Sequence, residues 1–329
     1  MLECMRGWRA LAGSLAAWLA LAGAAQAECV SAPEYAAYQP AAGEAVQAAA
    51  GPTHHDGRGR VVAPVYVNGE GPFRFIVDTG ANRSVLSQRL ATRLGLEASG
   101  EGNVHSVHGV APAPLVDVDS LQYGALSLGT EPMPMLSGAV LAGEHGLLGV
   151  DGMGGRRLRM DFERNCIEIV PSRQARRLRG WADIRGELRF GHLVVVRGSI
   201  NGLRVNLLLD TGSDSSLANV ALREALRARV SRNRARMSYV IGHTATRPII
   251  LRDAMLVPRV SMGELDVRNV AAYVGDFHIF NLWGLSEEPT LLLGMDVLSQ
   301  TRGLAIDYGR ARVYLHLHDD LRFGTRLQN

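Results

Sequence analysis

From residue 60 onward the chain alternates short apolar runs with turn-forming Gly, Pro and Asn, and few segments hold the 3.6-residue period of a helix. Val61 to Val67 and Leu193 to Ile200 are alternating runs. Each is followed by an Asn-Gly pair, Asn68-Gly69 or Asn201-Gly202, and then by a second apolar run. Asn-Gly between such runs predicts a β-hairpin, because both central residues of the tight turn take positive φ. Two short helices are predicted, at Ser87 to Leu94 and Ala218 to Val230. The pattern therefore predicts a mostly β chain.

The pattern also occurs twice. Phe73-Arg74-Phe75-Ile76-Val77-Asp78-Thr79-Gly80-Ala81 has a counterpart in Arg204-Val205-Asn206-Leu207-Leu208-Leu209-Asp210-Thr211-Gly212-Ser213. A glycine in an apolar hairpin follows each aspartate at nearly the same interval, Gly109 after the first and Gly242 after the second. Leu147-Leu148-Gly149-Val150-Asp151 then matches Leu292-Leu293-Gly294-Met295-Asp296. The stretch from Asp210 to Gly294 is longer than that from Asp78 to Gly149, which predicts an inserted loop around Phe277 to Pro289 in the second half. Such a repeat implies two equivalent units.

The ends read differently. Arg6 and Arg9, the apolar run Ala10 to Ala25 and the Ala25-Gln26-Ala27 site read as a cleavable signal peptide over residues 1–27. The run is too short for a membrane span, so no integral span is expected in the mature chain. Glu28 before Cys29 argues against a lipoprotein. The expected organisation is a signal at 1–27, a flexible arm at 28–59, a first lobe at 60–172, an Arg-rich linker at 173–185 and a second lobe at 186–320. An exported, periplasmic or secreted protein follows. Of three cysteines, Cys29 and Cys166 remain after processing. The simplest reading is a disulfide between arm and first lobe, with two free thiols as the alternative. Net charge falls from +3 to +2 on loss of Arg6, Arg9 and Glu3, which gives no reason to expect nucleic acid as a partner.

One Asp-Thr-Gly is a weak signal, since an Asx-turn explains it as well. Two, each after an apolar strand in a matched repeat, are not. If a pseudo-twofold axis relates the halves, each loop presents a carboxylate at that axis. Two carboxylates in contact cannot both ionise, so they share a proton and titrate as a unit. The ionised member can then activate a water, and the protonated member can donate to a carbonyl oxygen. Gly80 and Gly212 are expected to permit a tight turn, and the Thr79 and Thr211 hydroxyls to bond across the axis.

These residues resemble the aspartic peptidases, in particular the retropepsin-like branch found in bacteria, over roughly Arg60 to Leu317. The resemblance implies an all-β fold of two pseudo-twofold-related acid-protease lobes, each a closed β-barrel with short helices. It implies Asp78 and Asp210 as catalytic residues of an endopeptidase, Thr79, Gly80, Thr211, Gly212 and Ser213 as loop support, and Gly109 and Gly242 in substrate-covering flaps. Carrying both copies in one chain implies activity as a monomer, on extended peptide segments of proteins, with limited processing of exported proteins as its role. The chain departs from the family's pepsin-like members in having no tyrosine beside either flap glycine, although Tyr239 is near. Ala81 against Ser213 makes the halves unequal, because only Ser213 has a hydroxyl to offer its aspartate. A catalytically silent peptide-binding module of the same fold is the alternative.

The remaining candidates are weaker. Asp151 and Asp296 are expected to cap short helical turns. His54-His55-Asp56, His105/His108 and His316/His318 are incomplete as metal ligand sets, and neither metal nor cofactor is expected. His108 and His243 flank the flap glycines, as substrate contacts or as exposed tips. The basic stretch from Arg223 to Arg236 reads as a solvated face. No Gly-rich phosphate loop or Gly-x-Ser-x-Gly elbow is present.

Overall fold

The computed structural model describes residues 49–124, 126–128, 131–190, 192–227, 240–243, 248–251, 253–318 and 326–327. The expected signal peptide, Cys29, Tyr239 and the arginines from 229 to 236 lie outside these residues.

Each half begins with the predicted hairpin. Val61–Val67 pairs antiparallel with Glu70–Val77, and Leu193–Ile200 with Leu203–Leu209. Asn68 and Gly69 turn at φ 50 and 77, and Asn201 and Gly202 at φ 51 and 75, the positive values that such a turn requires. Both faces of the first strand are buried. Val61, Ala63 and Val65 enter the main core, and Val62 joins a smaller cluster with Ile76, Val85 and Leu147. The helices form within the predicted ranges, at Gln88–Arg93 and Val220–Arg227, and residues 228–230 of the second lie outside the described residues. Their first turns are held by side chains: the Ser87 hydroxyl accepts the Leu90 N–H at 3.1 Å, and Asn219 Oδ1 accepts that of Leu222 at 2.9 Å.

The Leu-Leu-Gly segments are the central strands. Gly146–Leu148 lies between Glu70–Val77, to which it is parallel, and Val85–Ser87, to which it is antiparallel. Thr290–Leu293 lies in the same way between Leu203–Leu209 and Ser216–Ala218. In the second lobe six strands close on themselves, through the pairing of Ser199 with Ser261 of strand Ala254–Met262. The first lobe is a half-barrel. The outer edge of Val61–Val67 pairs with the short strand Leu121–Tyr123, while Ala98–Ser106 and Gly109–Val116 run on together as a long hairpin.

Beneath the lobes a shared sheet joins them. Arg156–Asp161 of the first half pairs antiparallel with Gly303–Asp307 of the second, flanked by Cys166–Pro171 and Arg312–His316. Buried Asp307 accepts a hydrogen bond from the Ser172 hydroxyl at 2.5 Å, a further tie between halves. The main hydrophobic cluster runs through both lobes without a break.

Two expected boundaries differ. Ala49–Pro52 pairs with Cys166–Pro171, and His54–His55 pairs with Val61–Val62, so residues 49–59 are strand and turn rather than loose arm. The expected linker ends in a strand, Ala182–Arg189, that pairs with Arg312–His316 and Leu193–Ile200. Cys166 is buried and disulfide-bonded.

Gly149 and Gly294 follow the central strands where they cross the two aspartate-bearing loops. A Cβ on Gly294 would lie 2.6 Å from the Ser215 carbonyl oxygen, and one on Gly149 2.6 Å from that of Arg83. Both obstacles are backbone. Gly294→Ala is expected to lower stability by about 1–3 kcal/mol, read as a lower urea midpoint at unchanged m value. An unchanged midpoint would mean that the loop yields freely.

Candidate active site

The two Asp-Thr-Gly loops leave their strands at the same height and meet at the floor of a cleft of about 690 Å³. The central strands fix that height: the Asp78 N–H donates to the Leu148 carbonyl at 2.9 Å, and the Asp210 N–H to that of Leu293 at 3.0 Å. Each loop then folds around its carboxylate. Gly80 and Ala81 both donate N–H to Asp78 Oδ1 at 3.0 Å, and Gly212 donates to Asp210 Oδ1 at 2.9 Å.

The threonines lock the loops together. The Thr79 hydroxyl donates to the Leu209 carbonyl at 2.9 Å and accepts the Thr211 N–H at 3.1 Å. The Thr211 hydroxyl donates to the Val77 carbonyl at 2.7 Å and accepts the Thr79 N–H at 3.2 Å. Thr211 is fully buried and Thr79 nearly so, so these four bonds are made away from water, where an unpaired partner is costly.

The glycines act differently from the sequence reading. Neither Gly80 nor Gly212 has positive φ. A Cβ on Gly80 would lie 2.7 Å from the Asp210 carboxyl carbon, and one on Gly212 would overlap the Asp78 carboxylate. Each glycine is thus the surface on which the opposite carboxyl rests. Ser213 is corrected too. Its hydroxyl donates to the Ser215 carbonyl at 2.7 Å, and what it gives Asp210 is its backbone N–H.

Asp78 and Asp210 are hydrogen-bonded to each other. Burial pushes the Asp210 carboxyl well above the ordinary carboxylate range, and the neighbouring Asp78 charge adds to this. Burial also raises Asp78, opposed by its hydrogen bonds from Asp210 and Gly80, by the Arg60 charge and by the Ala81 N–H. The arrangement favours one negative charge shared by the pair.

Behind each loop is a second repeated device that the sequence reading missed. The Ser84 hydroxyl donates to Asp151 at 2.7 Å and accepts the Gly149 N–H at 3.1 Å. The Ser216 hydroxyl does the same with Asp296 at 2.9 Å and Gly294 at 3.1 Å. Asp151 and Asp296 therefore brace the loops, and Asp296 also accepts the Val297 N–H in the first turn of its short helix. Asp296 lies within the first turn of Met295–Leu298, whose N-cap is Gly294. The available signal was a serine at the same offset after each repeated aspartate.

Gly109 begins the second strand of the long hairpin of the first lobe, and Val107 at its tip packs on the second lobe's cluster of Phe277, Phe280, Trp283 and Leu285. That cluster belongs to the predicted insertion, which forms a short helix at His278–Leu282. His105 of the hairpin and His278 of the helix stack at 5.3 Å, with Nδ1 and Nε2 3.0 Å apart, so the hairpin spans the cleft from lobe to lobe. Gly242 lies in a two-stranded hairpin of Val240–His243 with Pro248–Leu251. His316 stacks on Trp181 and His318 lies near Glu163. Among the described residues no cluster of three or more potential metal ligands forms.

One further pair at the site joins Arg60, the first residue of the expected lobe, to Asp56 of the segment read as arm. Arg60 and Asp56 are buried as an ion pair at 2.8 Å, and Arg60 lines the cleft beside the carboxyls.

A family model described as aspartyl protease matches residues 63–151 and 196–297, one segment in each lobe. No curated protein matches the chain.

A carboxyl whose pKa is raised on folding makes the folded state bind more protons than the unfolded state. Stability is then lost as pH rises from the unfolded value, near 3.8, through the folded one. Asp210→Asn removes that loss. The variant is expected to be more stable than wild type at pH 7 in urea unfolding, with the gain shrinking toward pH 4. A gain independent of pH would show that the pair is not under this strain.

Proposed function

The chain belongs to the aspartyl protease family, and from that we propose that it is an endopeptidase whose catalytic residues are Asp78 and Asp210. The observation that carries this reading is the contact of the two carboxyls at the cleft floor, each resting on the other loop's glycine and both loops locked by the threonine hydroxyls.

The chemistry follows from one proton shared between two acids. The ionised carboxylate takes a proton from a water as its oxygen adds to the scissile carbonyl carbon. The protonated carboxyl gives its proton to the carbonyl oxygen, and a neutral geminal diol forms. Proton transfer to the amide nitrogen and collapse of the diol break the C–N bond, releasing a carboxylic acid and an amine and restoring the single proton on the pair. The backbone donors of Gly80, Ala81 and Gly212 hold the carboxylates in place throughout, which is the positioning such a step requires.

The substrate we propose is an extended segment of a protein, laid along the cleft beneath the hairpin 98–116, with Gly109 and Gly242 in the covering flaps. Val104, Val107, Ile279 and Trp283 line the cleft and favour apolar side chains near the scissile bond. Both aspartates reside in one chain, so the proposed active form is a monomer. The sequence of residues 1–27 supports export, and the resemblance to exported bacterial peptidases supports limited processing of exported proteins as the role. Among the described residues no helix is long and apolar enough to cross a membrane.

Purified protein is expected to cleave members of a diverse peptide library between about pH 4 and 8, the range over which a carboxyl pair changes state. Asp78→Asn and Asp210→Asn are each expected to lower kcat/KM by at least about 10³-fold, and chelators to have no effect. Cleavage that survives either substitution would remove the shared-pair mechanism. Folded protein that cleaves nothing would remove the endopeptidase assignment.

A further inference from the structure

We propose that His105 and His278 are positioning residues that latch the first lobe's hairpin to the second lobe, so that the hairpin 98–116 is held over the carboxyls from both sides of the cleft while substrate is bound. The inference rests on the reading of the cleft as the place of peptide cleavage and adds what holds its roof.

The hairpin needs such a tie because its own lobe grips it at one end. Ala98–Ser106 and Gly109–Val116 pair with each other, and the ribbon joins the sheet of its lobe where Val116 and Leu115 meet Met133 and Pro134. Its buried side chains are Ala113 and Val116 toward this root and Ser106 at the tip, and the remainder are exposed or half-buried. A two-stranded ribbon that buries so little has low stability of its own. Its place over the cleft is therefore set by what its tip touches.

The tip is shaped to touch the second lobe. The Ser106 hydroxyl donates to the Gly109 carbonyl at 3.2 Å and accepts the His108 N–H at 3.4 Å, which fixes the turn. Val107 then packs on the cluster of Phe277, Phe280 and Trp283. On the other side of Ser106, His105 meets His278, the first residue of the short helix His278–Leu282. The two rings lie within 15° of parallel with centroids 5.3 Å apart, and Nδ1 of His105 is 3.0 Å from Nε2 of His278. Two neutral imidazoles at that distance form a hydrogen bond when one carries its proton on the facing nitrogen and the other leaves its facing nitrogen bare. His105 is exposed and His278 half-buried. Breaking their bond lets water replace the lost partner, so no buried polar group is stranded. That suits a contact that opens and closes.

The repeat shows where the latch came from. The helix that carries His278 belongs to the insertion of the second half, and the corresponding stretch of the first half forms the single turn Ala139–Leu141. The second lobe has thus gained a landing site for the first lobe's hairpin. Val104, His105, Ser106 and Val107 line the cleft from that hairpin, opposite Asp78 and Asp210. A roof fixed at both ends admits the middle of a polypeptide only by opening, and it orients the segment only after closing again.

The test reads the hairpin directly and through turnover. Spin labels on Pro112→Cys and Glu224→Cys, both exposed positions, report the distance from the hairpin to the helix Val220–Arg227 of the second lobe in the full chain without ligand. Wild type is expected to give one distance. His105→Ala and His278→Ala are each expected to add a longer one, with the ratio of latched to open forms falling about fivefold, the worth of one such hydrogen bond. Against a cleaved peptide, each single variant is expected to raise KM by about fivefold at little change in kcat, and the double variant to cost no more than either single, because the two rings make one contact. Urea midpoints equal to wild type identify the folded variants. Distances unmoved in both folded single variants, or costs that multiply in the double variant, would overturn the inference. Shifted distances in a protein that cleaves nothing would remove the peptidase reading alone, whereas cleavage with unmoved distances would remove the latch alone.

Discussion

Two carboxyl groups pressed together away from bulk water repel once both ionise, and the rest of this fold is arranged so that they stay in contact all the same. The restraint is the exchange of hydrogen bonds between Thr79 and Thr211, which join each loop to the strand that carries the other. Each such bond contributes about 1 kcal/mol net, and breaking one strands a buried carbonyl at about 1–3 kcal/mol. The loops are therefore hard to separate, and the strain of the charge pair is held by polar bonds that cross from lobe to lobe. Gly80 and Gly212 complete the restraint by leaving no atom between one loop and the other's carboxyl.

Around that centre the twofold repeat is close in the backbone and broken in the side chains. Both lobes lay a Leu-Leu-Gly strand beneath the aspartate strand, and both brace the loop with a serine hydroxyl that bridges a glycine N–H and an aspartate. The differences lie where substrate and charge would meet. The second lobe has the helix His278–Leu282 and its aromatic cluster, the first has the long hairpin that docks on them, and the buried guanidinium at the floor comes from the first. A duplicated scaffold thus supplies placement, and divergence of a few residues makes the two sides of the cleft unequal.

The parts of this arrangement that repeat were legible in the sequence, because repetition turns a weak local motif into a geometric statement. The hairpins, the aspartate loops, the cross-axis threonines and the inserted loop of the second half could all be read that way. What depends on contacts between distant residues could not. The role of each of the two glycines is set by a carboxyl in the other half of the chain, and a turn argument gave the right residues for the wrong reason. Asp151 and Asp296 were assigned to capping because a short helical turn is visible locally and a bond to a serine far back in the chain, Ser84 or Ser216, is not. Arg60 opens the expected first lobe and was missed because the partner that buries it, Asp56, lies in a Gly-rich segment that reads as loose chain. Its ordering comes from the Asp56 turn and from strand pairing with Cys166–Pro171.

The most direct test of the central claim is a crystal structure with a peptide isostere whose scissile amide is replaced by a hydroxyl-bearing tetrahedral carbon. The account predicts that hydroxyl within hydrogen-bonding distance of both Asp78 and Asp210, about 2.5–3.0 Å, with the peptide extended beneath the hairpin 98–116. An isostere whose hydroxyl meets only one carboxyl, or that binds elsewhere and leaves the pair untouched, would contradict it.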